Sequence, residues 1–183
     1  MQTKFIIAGR TSSGKDYLTN YLCATFGFKQ LLSYTTRPKR FDTENTHIFI
    51  TDEEAQNILN TQSIIAYTGI GQYKYFGTYQ QFIESDIYIV DKQGIDYLKQ
   101  NFTQQLMQEQ IQIVVIYVYA EKQLRQERAL KRHNNLNTYV KRDEVENAQF
   151  TALEHNVEFD WFVRNHNENR AKRVIKEIVN LYI

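Results

Sequence analysis

Residues Phe5-Ile6-Ile7-Ala8-Gly9-Arg10-Thr11-Ser12-Ser13-Gly14-Lys15-Asp16 form a short apolar run that breaks into a polar loop bounded by glycines and closed by Gly-Lys. This is the pattern of a strand feeding a phosphate loop. A loop pinned by Gly9 and Gly14 can turn its main-chain N–H groups inward, where they suit phosphate oxygens, and Lys15 adds a point charge. Leu18, Tyr21, Leu22, Thr25 and Phe26 then recur at helical spacing, and Gly27 is placed to end that helix in a left-handed conformation. The loop therefore opens a helix N-terminus, whose dipole also favours an anion.

The match to G-x-x-x-x-G-K-[ST] fails at its last position, where Asp16 replaces the hydroxyl that normally touches magnesium. A carboxylate can still ligate Mg2+ or hold one of its waters. Without the metal, Asp16 stands near phosphates as a like charge, so nucleotide binding is expected to depend strongly on Mg2+.

The remaining chain supplies the rest of an α/β fold. With 183 residues and 42% hydrophobic content, one domain with a sizeable core is expected. Strands are expected at Phe28–Leu32, His47–Ile50, Ser63–Ile70, Gln72–Phe76, Asp86–Val90, Ile111–Tyr119 and Asp160–Arg164, with a Tyr-rich hairpin turning at Gly71. Ile111–Tyr119 is the most apolar and should be central. Helices are expected from Thr51, with Glu54 closing a capping box, to Asn60; at Thr78–Glu84; from Lys92 to Gln100; at Glu121–His133; at Thr138–His155; and at the C-terminus, striped by Ala171, Val174, Ile175, Ile178, Val179 and Tyr182. The Gln-rich piece Phe102–Gln110 fits either a helix extension or a loop, and Asn134–Asn137 reads as a mobile loop. Alternating strands and helices predict a mostly parallel sheet covered on both faces, with the ligand beyond the carboxyl ends of the strands.

Charge and cysteine content narrow the function. A formal net charge of +1 gives no global attraction to nucleic acid or anionic membranes, so phosphate binding must come from local clusters. No apolar run approaches a membrane span and no signal sequence precedes the first strand, and the single Cys23 reads as core filler in a reducing compartment. The expectation is a cytoplasmic protein.

A local basic cluster does exist. Ser33-Tyr34-Thr35-Thr36-Arg37-Pro38-Lys39-Arg40 places two guanidinium groups and several hydroxyls just behind a strand end. Arginine forks bind phosphate oxygens with both charge and geometry, so this segment is a second phosphate site or, failing that, a solvated basic turn.

At this point the chain resembles the guanylate kinase family over nearly its whole length. Ser33 to Arg40 is similar to that family's Ser-His-Thr-Thr-Arg-x-x-Arg segment, and His47-Ile48-Phe49-Ile50-Thr51-Asp52-Glu53-Glu54 to its Tyr-His-Phe-Val-Ser-x-Glu-Glu. Tyr75-Phe76-Gly77-Thr78 resembles Tyr-Tyr-Gly-Thr, Asp91-Lys92-Gln93-Gly94 the end of Asp-Ile-Asp-x-Gln-Gly, and Phe159 to Asn165 its Phe-Asp-Tyr-Val-Val-x-Asn. The resemblance implies a P-loop three-layer αβα sandwich in one domain over 1–183, with a core of 1–32 and 83–183. A monophosphate-binding insert would occupy 33–82, and a helical lid about 121–145. It implies an ATP-dependent nucleoside monophosphate kinase using Mg2+ with ATP as phosphoryl donor. ATP would lie on Gly9, Arg10, Thr11, Ser12, Ser13, Gly14, Lys15 and Asp16, with Asn165 near the adenine and Asp16 at the metal. Ser33, Arg37, Arg40, His47, Tyr75, Thr78 and Asp91 would hold the acceptor. Lys15, Arg40, Arg128, Arg132 and Arg142 would act on the transferring group. Arg125, Arg128 and Arg132 share a helix face, and Arg125 reads equally well as solvated charge. The implied partners are ATP and a small phosphorylated acceptor, with no nucleic acid or membrane, in a monomer or homodimer.

The departures gather where the acceptor is read. Ala66 stands where the family places a guanine-reading Glu, Ile89 replaces the first Asp of Asp-Ile-Asp, and His47 and Phe76 replace tyrosines. A site selects a base through polar groups that a wrong base leaves unpaired, and Ala66 cannot do this. His47 reads as a phosphate ligand or as hydrogen-bonded structure, and Tyr67, Tyr73, Tyr75 and Tyr79 as base-stacking or cross-strand packing groups. The Gly-Lys-Asp ending also resembles ribose bisphosphate phosphokinases and phage deoxynucleotide kinases. Two rival readings are a guanylate kinase-like binding module without catalysis and a regulatory ATP-binding protein.

Overall fold

The computed structural model describes residues 1–133 and 136–183, and within its helices every side chain but those of Arg132, His133 and Thr138. The apolar run before the loop is strand β1 (Gln2–Ala8), and the loop opens helix α1 (Lys15–Phe26), which Gly27 ends at φ 73° as its spacing predicts. By internal contacts the chain divides into two units, 1–4 with 29–112 and 5–28 with 113–183.

The first unit holds β2 (Gln30–Leu31), β3 (Tyr34–Thr35), β4 (Ile48–Phe49), α2 (Asp52–Thr61), β5 (Ile64–Ile70), β6 (Tyr73–Thr78), α3 (Tyr79–Ile83), β7 (Ile87–Ile89) and α4 (Lys92–Gln108). β2 runs parallel to β7. A second sheet has the order β4-β3-β6-β5, in which β5 and β6 form the expected hairpin and β3 pairs antiparallel with β6 and parallel with β4. The predicted capping box on α2 is present, with Thr51 accepting from the Glu54 N–H and Glu54 accepting from the Thr51 N–H. Its apolar face packs Ala55, Ile58 and Leu59 onto Phe76, Tyr34 and Tyr67. The open choice for the Gln-rich piece resolves as helix, because Leu98, Phe102 and Leu106 continue the buried stripe of α4 at helical spacing.

The second unit holds the end of β1, α1, most of β8 (Ile111–Tyr119), α5 (Lys122–His133), α6 (Leu136–His155), β9 (Trp161–Arg164) and α7 (Glu168–Asn180). Its strands lie in the order β1-β8-β9, with β9 parallel to β8 and Tyr117 opposite Phe162. β8 is therefore flanked on both sides, as its apolar sequence predicts. α7 buries Ala171, Ile175, Ile178 and Val179 and is capped by Asn167, whose side chain accepts from the Arg170 N–H. The expected Asn134–Asn137 loop is corrected in part: Leu136 and Asn137 already belong to α6, while Asn134 and Asn135 lie outside the described residues. The parallel pairs and flanking helices make this an α/β fold with a mostly parallel central sheet. Among the described residues no helix is long and apolar enough to cross a membrane.

Candidate active site

The second unit carries the phosphate loop. Ser12 at φ 60° and Gly14 at φ 90° both adopt left-handed backbone, and the Ser13 N–H returns to the Arg10 carbonyl at 3.0 Å. Such turns make a concave ring of N–H donors. A Cβ at Gly14 would land on the Asn165 amide nitrogen, and one at Gly9 would sit 2.6 Å from Ser13 Oγ. Only glycine allows this approach at either position. Lys15 follows as the first residue of α1 and Asp16 lies exposed in its first turn.

Two residues distant in sequence fix the loop. Arg128 on α5 donates from Nη1 to the Ser13 carbonyl at 3.0 Å and from Nη2 to the Asn165 carbonyl at 2.9 Å. Asn165, just past β9, donates from Nδ2 to the same Ser13 carbonyl at 2.9 Å. Both Asn165 Oδ1 and Ser13 Oγ are buried without a hydrogen-bond partner among the described residues. A buried polar atom left unpaired costs about 1–3 kcal/mol, and such atoms concentrate where a ligand completes the set.

α6 holds the other side of the loop. Arg10 Nε and Nη2 meet Glu154 at 3.1 and 3.2 Å, and the same guanidinium reaches Asn147 Oδ1 at 3.0 Å and Thr151 Oγ1 at 3.1 Å. Tyr117 Oη also donates to Glu154. Burial works against the Arg10 charge, but the Glu154 hydrogen bonds and charge outweigh it and raise its pKa. The Thr11 N–H donates to Glu146 Oε2 at 2.6 Å, and Arg142 Nη2 lies 3.6 Å from Glu146 Oε1. Arg125 is not solvated: it is 4% exposed, donates to the Ala120 carbonyl at 3.1 Å and pairs with Asp143. It braces α5 against α6.

The first unit carries the basic segment. Arg37 forks onto Glu44, whose carboxylate also accepts from the Arg40 N–H at 2.7 Å and from Thr46 Oγ1 at 3.1 Å. Arg37 Nε is buried with no partner among the described residues. The guanidinium carbon lies 5.2 Å over the Phe49 ring, which orients the fork further. His47 Nδ1 is 2.9 Å from Thr46 Oγ1, and its ring meets Tyr75 edge-on at 5.6 Å.

Polar groups of the strands and helix around Ala66 pair with one another. Thr68 Oγ1 donates to Asp91 Oδ1 at 2.7 Å, and the Gly94 N–H donates to the same oxygen at 2.9 Å, making Asp91 the N-cap of α4. Ser33 Oγ is 2.8 Å from the hydroxyl of Tyr88, a fully buried phenol whose pKa burial pushes up. Thr78 is 2% exposed and its hydroxyl caps α3, accepting from the Gln81 N–H at 3.3 Å.

The guanylate kinase family model matches residues 1–182 of this chain. The chain belongs to the guanylate kinase family. A crystal structure of guanylate kinase from Anaplasma phagocytophilum is similar to it in fold, with a TM-score of 0.63 and 15% identity over 99% of this chain and 84% of that one. No curated protein sequence matches the chain.

Family membership makes this a nucleoside monophosphate kinase-like protein. Within it, Gly9, Arg10, Thr11, Ser12, Ser13, Gly14, Lys15, Arg128, Arg142 and Asn165 gather in the second unit, with the Arg10 side chain turned onto α6. Ser33, Arg37, Arg40, His47, Tyr75, Thr78 and Asp91 all belong to the first unit. The Arg132 side chain lies outside the described residues. Of the tyrosines, Tyr67 packs at 6.4 Å from Phe76 and Tyr79 stacks at 5.4 Å on Phe102, so both serve packing. Sequence reasoning missed Glu44, Glu146, Thr68 and Tyr88. An acidic residue four positions after Arg40 was a visible signal for Glu44, and a Tyr inside the apolar Ile87–Ile89 strand was one for Tyr88.

Proposed function

We propose that this guanylate kinase family member transfers the terminal phosphoryl group of ATP to a nucleoside monophosphate. The observation that carries this reading is that one chain holds both a phosphate loop with two left-handed turns and a basic pair, Arg37 and Arg40, fastened by the buried carboxylate of Glu44. A pure binding module needs neither. The loop N–H groups and Lys15 hold the donor phosphates, Arg37 and Arg40 hold the acceptor phosphate, and Arg128, Arg132 and Arg142 act from the lid at about 121–145. The core of 1–32 and 83–183 and the acceptor-binding insert of 33–82 complete the arrangement.

Phosphoryl transfer of this kind asks the protein for alignment and charge rather than a nucleophile, and this chain's residues match that demand. Among the described residues no cluster of three or more His, Cys, Asp or Glu side chains could cage a metal ion. Mg2+ would come with ATP and be touched by the exposed Asp16 carboxylate, directly or through water. When bound, the ion offsets phosphate charge. A cytoplasmic setting agrees with Cys23 being the single cysteine, which can form no disulfide within the chain.

Ala66, which stands where the resemblance implies a base-reading Glu, is 2% exposed and lies close to Gly94. That one observation favours a second acceptor class, a sugar phosphate such as ribose bisphosphate. Arg37→Ala separates transfer from adventitious phosphate binding. Loss of a charged hydrogen-bonded fork should raise the acceptor KM roughly 10- to 100-fold while the ATP KM holds. An equal rise in both, or in neither, contradicts the assignment.

A further inference from the structure

The Thr11 N–H belongs to the phosphate loop, yet its partner is the chain's own carboxylate, Glu146 Oε2 at 2.6 Å. The other oxygen of Glu146 lies 3.6 Å from Arg142, one helical turn earlier on α6. The Glu146 side chain is only 14% exposed, so this charge is withdrawn from water and held between a loop donor and an arginine. An N–H has one hydrogen and serves one anion well. A phosphate brought to the same ring of donors meets a carboxylate already there and is repelled by it.

We propose that Glu146 is an internal competitor for the phosphate loop, which the donor triphosphate must displace, and that its displacement frees Arg142 to act on the transferring group. The proposal rests on the phosphate-loop reading above. The loop partner of Arg10 behaves differently. Glu154, Asn147 and Thr151 grip that guanidinium from α6 whether or not Glu146 lets go, so α6 can release one contact and keep its seat. Glu146 is thus a positioning residue: it governs which anion the loop holds and whether Arg142 is neutralised. Because apparent affinity falls with the fraction of protein that is competent to bind, a latch closed ten to one weakens donor binding about tenfold.

The test is calorimetric titration of ATP with Mg2+ into the full chain and into Glu146→Ala and Glu146→Gln, with the Thr11 amide resonance followed by NMR before ATP is added. Both variants should shift the Thr11 amide. Glu146→Ala should bind ATP about tenfold more tightly, and Glu146→Gln, which keeps the acceptor but not the charge, should fall between. In turnover, Glu146→Ala should lower the ATP KM with little gain in kcat. Unchanged or weaker ATP binding in Glu146→Ala, with the wild type binding normally, overturns the latch alone. ATP binding by neither protein overturns the phosphate-loop reading and the latch with it. A merely structural Glu146 would lower the melting temperature of both variants and leave the KM in place, which also overturns the proposal.

Discussion

Arg37 and Glu44 meet as two parallel forks, Nη2 to Oε1 at 2.9 Å and Nη1 to Oε2 at 3.2 Å, with the carboxylate 1% exposed. Burial alone would push the Glu44 carboxyl up. Hydrogen bonds from Arg37 and the Arg40 N–H, with the Arg37 charge, reverse this and bring it from 4.5 down to about 2. The pair is therefore a small rigid unit that aims Arg37 and fastens the loop bearing Arg40.

A folded pKa below the unfolded one gives stability that is complete above pH 4.5 and is lost as the pH falls towards 2. A shift of that size is worth about 3 kcal/mol. Urea unfolding at pH 6 and at pH 2.5 should show most of this loss in the wild type and a much flatter pH dependence in Glu44→Gln. The same variant should raise the acceptor KM, since Arg37 would lose its orientation. An unchanged acid limb in Glu44→Gln would show that other carboxylates dominate.

Gly14→Ala tests the loop's backbone. At φ 90° an Ala pays roughly 1–2 kcal/mol for the left-handed region, and its Cβ must also push Asn165 away from Ser13. ATP binding should be lost at concentrations that saturate the wild type, with a modest drop in melting temperature. Full ATP affinity in this variant would mean that the loop tolerates a Cβ and that Asn165 does not close it.

Arg125 and Arg128 lie one helical turn apart and predict opposite behaviour. Arg125→Ala leaves the buried Asp143 carboxylate with only the exposed Lys122, at 3.6 Å, as its cation, a change that costs up to about 3–5 kcal/mol, and should appear chiefly as lost thermal stability. Arg128→Ala removes two bonds to main-chain carbonyls at the loop and should appear chiefly as lost transfer rate. Thermal melting and kcat on both variants check this; a large kcat loss with full stability in Arg125→Ala would reverse the roles.

Much of this was legible in the sequence because local chemistry decides it. Gly9, Gly14 and Lys15 announce the loop, Gly27 ends α1, and Thr51 with Glu54 starts α2, each through bonds made within a few residues. Long-range pairing was not legible. Nothing near Lys4 in sequence says that its ammonium is buried at 1% exposure, donating to the carbonyls of Ile83, at 2.7 Å, and Ser85. Nothing near Arg10 in sequence says that Glu154, 144 residues away, pairs with its guanidinium. Arg125 shares a face with Arg128 by spacing, and only the position of Asp143 on α6 separates their tasks. In the acceptor segment the departure at Ala66 was plain, but the Thr68–Asp91 and Ser33–Tyr88 contacts join residues 23 and 55 apart.

The most direct measurement is phosphoryl transfer from ATP and Mg2+ to a panel of ribo- and deoxynucleoside monophosphates and ribose 1,5-bisphosphate, with products separated and identified. A phosphorylated nucleoside monophosphate, absent with Lys15→Ala and made at a raised KM by Arg37→Ala, is the predicted result. Confirmed ATP binding with no acceptor phosphorylated would contradict the kinase reading, and product from the sugar phosphate alone would move the acceptor to that second class.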